Sequence, residues 1–188
     1  MGSTRVRTPD PYLRPALGEV LPQEVWDRMS GLEIIHGLMA GELPPPPIVY
    51  FIGLRWVEAT EGSATLAVPM TEWLNSPAMR IYGGALAWVA DVCLTGAVQT
   101  TVPPRTAFSP LDLKVNFVRP VAADGGELIA RGSVIHRGRT LAVASAEIRN
   151  QEGKIVALAT GSTLILPDRP WTLERPVVAE EEAEGEES

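Results

Sequence analysis

The sequence predicts an α+β fold in which an antiparallel sheet wraps around one long buried helix. Residues 84–99 form the longest apolar segment, and a helix that is apolar nearly all round must be covered on most sides. Two strand-like runs precede this segment and four follow it. Apolar and polar residues alternate clearly in "LDLKVNFV" and "LAVASAEIR", as in strands with one covered face. An antiparallel sheet wrapped around the helix buries the helix and the apolar face of the strands with the fewest layers.

The first third of the chain is expected to carry short helices and then a hairpin. Residues 1–20 are interpreted as a flexible arm. Apolar residues recur near helical spacing over 21–43, which predicts one or two short helices. Four prolines at 44–47 end that helical pattern and favour a stiff, extended connection. Two strands are predicted next, over 48–60 and 62–70, because "TEG" between them is turn chemistry.

The rest of the chain is predicted to contain a loop, the central helix, four strands and a C-terminal tail. Residues 71–80 are loop-like, and the central helix is expected to end before "TTVPPR". Turn-rich segments separate the four strands that follow, which are predicted at 106–118, 126–136, 139–149 and 154–166. A single domain over 21–168 is therefore expected. Residues 169–188 form a proline-containing and then acidic tail that is interpreted as disordered.

Composition excludes several classes of function. The net charge is −7, but the last ten residues alone hold six glutamates, so a nearly neutral body remains and no nucleic-acid surface is indicated. The single cysteine, Cys93, lies in an apolar run, as expected for a small buried hydrophobe in a reducing compartment. The N-terminus lacks the apolar core of a signal peptide, and polar residues interrupt the longest apolar segment. A cytoplasmic protein without a membrane span is expected.

A lone carboxylate in the apolar helix is the main functional signal. Asp91 is the only charged residue between Arg80 and Arg105. A buried, unpaired carboxylate costs several kcal/mol unless it takes up a proton or reaches water. A structural carboxylate held by backbone donors is the alternative interpretation. A carboxylate that borders a pocket avoids the cost, and partial burial raises its pKa towards a value suited to base chemistry.

Two glycines open the same helix. Gly83 and Gly84 occupy its first turn, where free N–H groups and the helix dipole favour a developing oxyanion. The alternative is that they only permit a tight turn. Gly83 and Asp91 lie eight residues apart, about 12 Å along a helix, so one carbonyl group does not readily touch both. If both act on one substrate, two antiparallel copies of the helix would supply them, which predicts a homodimer with sites at its interface.

The segments "YGGALAWVADVC", "LDLKVNFVRPV" and "RGSVIHRGRTLAVASAEIRNQEGKIVALATGSTLIL" together resemble the hotdog-fold acyl-CoA thioesterases, specifically the phenylacetate-pathway-like (PaaI-like) group. The resemblance extends from about Gly31 to Leu166. It implies a hotdog fold, a homodimer or a tetramer of dimers, and hydrolysis of an acyl-coenzyme A with no metal and no redox cofactor. No nucleic-acid or membrane partner is expected.

The resemblance also implies roles for individual residues. Asp91 would be the general base or the nucleophile, and the Gly83 N–H would polarise the thioester carbonyl from the other subunit. Asn75 matches a loop asparagine that holds the attacking water or the substrate, although "NSP" is equally good turn chemistry. Ser109 is the nearest candidate for a water-positioning hydroxyl. The chain departs from the family in three ways: Tyr82 replaces a histidine, Asn75 stands one position further from it, and Pro110 occupies the hydroxyl position counted back from the "NFVRP" strand end.

The remaining candidates concern substrate binding. Tyr82, Gly84 and Trp88 are candidate contacts for a hydrophobic acyl or aryl group, with core packing the alternative for Trp88. Arg137 and Arg139 in "HRGR" are candidates for coenzyme A phosphates, because guanidinium groups match phosphate oxygens. Solvated hairpin arginines are the alternative. Two other functions on the same fold stay open: an enoyl-thioester hydratase, for which the expected Asp and His pair is missing, and a protein that binds acyl thioesters or another hydrophobic ligand without turnover.

Overall fold

The computed structural model describes residues 17–124 and 126–170, so the sequence predictions for 1–16 and 171–188 lie outside the described residues. The helices are α1 (Gln23–Arg28), α2 (Gly31–Ala40), α3 (Pro47–Ile52) and α4 (Gly83–Gln99). The strands are β1 (Arg55–Thr60), β2 (Ser63–Pro69), β3 (Thr106–Phe117), β4 (Glu127–Arg137), β5 (Leu141–Arg149) and β6 (Ile155–Pro167). In the described part of the chain, these six strands form one antiparallel sheet in the order β1-β2-β4-β5-β6-β3. The predicted architecture, a long helix covered by an antiparallel sheet, is confirmed.

Helix α4 is held against one face of the sheet by its apolar residues. Val89, Ala90 and Cys93 are each at most 1% exposed and belong to the central core cluster. Gly132 on β4 allows this close approach, because a Cβ there would lie 2.3 Å from the Cys93 carbonyl oxygen. Burial raises the pKa of the Cys93 thiol to about 12. The cysteine therefore acts as a small apolar core residue, as predicted.

The segment 48–52 is helical, so the predicted strand over 48–60 is wrong in its first half. Pro47 stands at the first helical position of α3, and Gly53 ends the helix with φ of 75°. Proline at the start and glycine at the end are the preferred boundaries of a helix. A short apolar run fits a buried strand and a helix equally well, and here the flanking residues decide between them.

The two other N-terminal helices match the prediction for 21–43. The Ser30 hydroxyl accepts from the Glu33 N–H, and the Glu33 carboxylate accepts from the Ser30 N–H, which forms a capping box at the start of α2. Gly31 then packs directly on the end of α4, where its N–H donates to the Val102 carbonyl at 3.0 Å. These helices lie over the side of α4 that faces away from the sheet.

Strand β3 forms one edge of the sheet. Its twelve residues pair only with β6 among the described residues, and the register shifts between Pro110 and Asp112. Proline is tolerated at sheet edges and bulges. The strand also carries exposed apolar side chains, Leu111, Leu113 and Phe117. A long apolar edge of this kind is normally paired or covered in the functional protein. None of the helices in the described part of the chain has the length and apolarity to cross a membrane.

Candidate active site

Asp91 lies in the middle of α4 on the side away from the sheet. Its side chain is half-buried, and within the described residues no hydrogen bond or ion pair satisfies its carboxylate. Burial raises the pKa of Asp91 above its ordinary value. A partly desolvated carboxylate without a cationic partner is a stronger base than one in water and retains access to solvent. The partial burial predicted from the sequence is observed, whereas a pocket bordered by Asp91 stays a prediction.

The raised pKa of Asp91 predicts how the stability of the protein changes with pH. Since the native state binds this proton more tightly than the unfolded chain, the free energy of unfolding falls as the pH rises from the ordinary aspartate pKa, about 3.9, through the raised value. Asp91→Asn removes the charge, so the variant should gain stability relative to wild type across that interval and keep the gain above it. Urea denaturation from pH 3.5 to 8 measures the difference.

Asp27→Asn is the matched control for that measurement, because it removes the same charge from an exposed position on α1. The difference in the free energy of unfolding between Asp27→Asn and wild type should not increase with pH, whereas the difference for Asp91→Asn should. Two results would show that burial does not destabilise the charged form of Asp91. In one, the free energies of unfolding of Asp91→Asn and wild type differ by the same amount at every pH. In the other, the variant becomes the less stable of the two as the pH rises.

The start of α4 offers free donors. Tyr82 is the N-cap residue but its side chain makes no capping bond, and the first turn carries no acidic side chain. The Tyr82 carbonyl accepts from Ala85 and Leu86, whereas the N–H groups of Gly83 and Gly84 have no acceptor among the residues described. The seventeen-residue helix directs the positive end of its dipole to the same point. An anionic oxygen is the complementary ligand.

Asn75 is brought to the start of α4 by backbone pairing. Asn75 forms an isolated antiparallel bridge with Ile81, and the Tyr82 N–H donates to the Leu74 carbonyl at 2.8 Å. The Asn75 Oδ1 atom is buried and receives no hydrogen bond from the described residues. An unsatisfied buried amide oxygen costs about 1–3 kcal/mol, so this atom is suited to a bound water or substrate.

Ser109 lies apart from Asp91 within one chain. It is exposed on β3, whereas its neighbour Phe108 is 9% exposed and belongs to the core cluster beside α4. Successive strand residues point to opposite faces, so Ser109 points away from the helix. Pro110 pairs with the buried Thr163 and lies on the α4 side. Its ring carries no hydroxyl, which leaves this strand without the expected water-positioning group.

The aromatic candidates occupy two different environments. Trp88 is half-buried, and its ring centroid lies 5.1 Å from that of Phe51 on α3. Trp88 therefore packs against α3, as the core-packing interpretation predicts. It also faces the N-terminal helices one turn before Asp91, as a contact for the acyl group would. Tyr82 is 60% exposed. A Cβ at Gly84 would lie 3.2 Å from the Tyr82 ring, and one at Gly83 would lie 3.3 Å from Phe117. The helix start therefore borders the β3 edge.

The two arginines of the β4–β5 hairpin differ in their contacts. The Arg137 Nε–H donates to the Thr101 hydroxyl at 3.1 Å, and its guanidinium also donates to the Gly138 carbonyl. Arg137 thus ties the hairpin to the residues that follow α4, at the opposite end from Gly83. Arg139 is exposed. The arginine available for a phosphate is therefore Arg139, while Arg137 has a structural role in one chain.

Sequence reasoning missed a cavity of about 250 Å³ between α4 and the N-terminal helices. We call it the helical-layer cavity; its wall includes Trp26, Leu38, Val49, Trp56, Val92 and Thr95. The α4 residues that line it, 92, 95, 96 and 99, follow the spacing of one helical face. That spacing was a usable signal in the sequence. The covering residues come from four other segments, which no local pattern links together.

Known proteins with similar sequences include thioesterases. The profile of the thioesterase superfamily matches residues 80–157. The acyl-coenzyme A thioesterase PaaI of Escherichia coli is 29% identical over 112 residues, which cover 60% of this chain and 77% of that protein. The match to the profile contains Tyr82, Gly83, Gly84 and Asp91.

Solved structures share the same fold. A conserved protein of Pseudomonas aeruginosa is 32% identical, with a TM-score of 0.59 over 63% of this chain and 93% of that one. A mutant of the phenylacetic acid degradation protein PaaI from Thermus thermophilus is 26% identical, with a TM-score of 0.58 over 63% of this chain and 97% of that one. Both matches span nearly the whole of the compared protein and leave part of this chain unmatched.

Proposed function

The chain belongs to the thioesterase superfamily, in the PaaI-like group of hotdog-fold thioester hydrolases, and we propose that it hydrolyses an acyl-coenzyme A with a hydrophobic acyl or aryl group. One observation carries the proposal. A half-buried carboxylate without a partner, Asp91, shares a helix with two unoccupied N–H groups at Gly83 and Gly84. These are the base and the oxyanion donors that acyl transfer needs.

The proposed reaction replaces the carbon–sulfur bond by a carbon–oxygen bond. In one route Asp91 takes a proton from water as the water oxygen attacks the thioester carbon. In the other, the Asp91 carboxylate attacks first and forms an anhydride, which water then hydrolyses. In both, the carbonyl oxygen carries the negative charge at the Gly83 N–H, and coenzyme A leaves as a thiolate that takes up a proton. Asn75 would hold the water through its unoccupied amide oxygen.

Two copies of the chain are needed for one site. Gly83 and Asp91 lie about 12 Å apart along α4, which is too far for one thioester group to span. The unpaired edge strand β3 offers a way to bring in a second copy. A two-fold axis perpendicular to the sheet would pair β3 with its own copy and set the two α4 helices antiparallel on one face. The contact between Phe117 of β3 and Gly83 supports a site at this junction.

The coenzyme would extend from this junction to solvent. Exposed Tyr82 would contact the acyl or pantetheine part, and exposed Arg139 is the candidate for a phosphate contact. Arginine recognises phosphate through two parallel hydrogen bonds.

The first test is release of free thiol from a panel of acyl-coenzyme A substrates with acetyl, hexanoyl, benzoyl and palmitoyl groups. The wild-type protein is expected to release coenzyme A from at least the hexanoyl or benzoyl member. Binding of these thioesters without release from any of them would contradict hydrolysis and support the non-catalytic binding protein instead.

A mixture of two inactive variants tests the shared site. If each site combines Gly83 of one copy with Asp91 of the other, a mixed dimer of Asp91→Asn and Gly83→Pro subunits contains one intact site and one doubly altered site. Random mixing by co-refolding at equal amounts should restore about a quarter of the wild-type activity, since half of the dimers are mixed. Each variant refolded alone is the control. Without any recovery in the mixture, the site would belong to a single chain.

A further inference from the structure

We propose that the N-terminal helices α1–α3 form the acyl pocket of this protein, and that the hydrophobic acyl group occupies the helical-layer cavity. The proposal rests on the proposed function, because it assigns a place to the acyl part of the same substrate. It gives the N-terminal helical segment a role in choosing the substrate, with Val49, Leu38 and Trp56 as specificity-determining residues.

The cavity lies beside the turn of α4 that holds the candidate base, and its lining on that helix starts at the residue after Asp91. Val92 follows Asp91 directly and lines the cavity, as does Thr95 one turn later. At 100° per residue, the directions of Asp91 and Thr95 differ by only about 40° around the helix axis. The Thr95 hydroxyl donates to the Asp91 carbonyl at 2.7 Å, so both residues belong to one turn of α4. An acyl chain whose thioester lies at Asp91 therefore has the cavity next to it.

Residues of α3 lie near α4 both before and after Asp91 along that helix. Ile48 and Val49 of α3 line the cavity together with Val92, which follows Asp91. The centroid of the Phe51 ring lies 5.1 Å from that of the Trp88 ring, one turn before Asp91 on α4. Helix α3 thus links the turn before Asp91 to the cavity wall.

The chemistry of the wall selects an apolar ligand. None of the residues that line the cavity is charged. The two polar side chains of α4 in the wall make hydrogen bonds within the protein: the Thr95 hydroxyl donates to helix carbonyls, and the Gln99 amide nitrogen donates to the Gly31 carbonyl at 3.3 Å. The indole rings of Trp26 and Trp56 face the remaining space. A hydrocarbon chain or an aromatic ring matches these surfaces better than a polar group does.

The volume sets the size of the acyl group. An apolar cavity of roughly 150 Å³ accommodates benzene. At about 250 Å³ the helical-layer cavity accommodates a single aromatic ring with a short linker, or an aliphatic chain of similar bulk. A palmitoyl chain exceeds it, and an acetyl group leaves it empty. The pocket therefore favours medium-length aliphatic and single-ring aryl thioesters over both extremes.

Val49→Phe tests this assignment, because it fills the cavity from α3 without altering α4. The value of kcat/KM for hexanoyl- and benzoyl-coenzyme A should fall about tenfold or more, while that for acetyl-coenzyme A should stay within about twofold. Val57→Phe is the matched control: it makes the same substitution at an exposed β1 position next to Trp56 and should leave all three values within about twofold. Leu38→Phe fills the same cavity from α2 and replaces Val49→Phe if that variant does not fold.

An equal loss for all three substrates, or no loss for hexanoyl and benzoyl, would overturn the assignment. A binding measurement separates this outcome from a failure of the proposed function. Calorimetry compares the binding of two thioethers, S-hexyl-coenzyme A and S-methyl-coenzyme A. Wild type and Val57→Phe should bind the S-hexyl compound about tenfold more tightly than the S-methyl compound. Val49→Phe should lose this preference. This result would uphold the pocket even if no substrate were hydrolysed. Equal preference in all three proteins would refute the pocket even in an active enzyme.

Discussion

Replacing Asp91 by asparagine is expected to lower kcat for thioester hydrolysis by about a hundredfold or more, the usual effect of losing a catalytic base. Asparagine has the shape of aspartate but neither accepts the proton of the attacking water nor forms an anhydride, so both routes are blocked. Free-thiol release from hexanoyl- or benzoyl-coenzyme A, measured at saturating substrate, gives the ratio of the two rates.

The fold should survive this change. Since the Asp91 carboxylate has no hydrogen-bond partner among the residues described, the neutral amide breaks no contact. Binding of S-hexyl-coenzyme A should remain close to that of wild type, which separates loss of chemistry from loss of binding. Asp27→Asn, on the exposed side of α1, should keep full activity. If Asp91→Asn retains more than a tenth of the wild-type rate, Asp91 is not the catalytic base or nucleophile.

Gly83→Pro is expected to lower kcat by about a hundredfold to a thousandfold relative to Gly83→Ala, because proline removes one oxyanion donor. Gly83 is the first helical residue of α4, where proline is favoured because the N–H at that position has no partner within the helix. The preceding residue, Tyr82, already has the extended conformation that proline requires, with φ of −65° and ψ of 137°. The substitution therefore removes the N–H and leaves the helix in place.

Gly83→Ala provides the matched comparison. Both variants add a Cβ atom 3.3 Å from the Phe117 ring, so any effect of that contact is common to the two. The alanine variant keeps the N–H, and only the proline variant lacks it. Thermal unfolding of both variants checks that the difference in rate has no origin in stability. Equal rates for the two variants would show that the Gly83 N–H does not stabilise the oxyanion.

Most of the fold could be predicted from local patterns in the sequence. The apolar run 84–99 coincides with α4 within one residue. The four strands that follow it were predicted within two residues at each end, because their alternation and their turns are both strong signals. The segment 48–52 is the exception. Its apolar residues alone fit either a strand or a helix, and α3 forms because Pro47 and Gly53 bound it.

Local composition and spacing identify the candidate chemical groups of the site: an isolated carboxylate at Asp91 and two glycines at the start of the same helix. Such groups can be recognised without knowledge of the fold. Which of them meet depends instead on tertiary contacts. Ser109 points away from α4, since the side of a strand depends on register and on the bulge beside Pro110. The helical-layer cavity exists because segments far apart in the chain pack around Val92 and Thr95, and packing between distant segments leaves no local signature in a sequence.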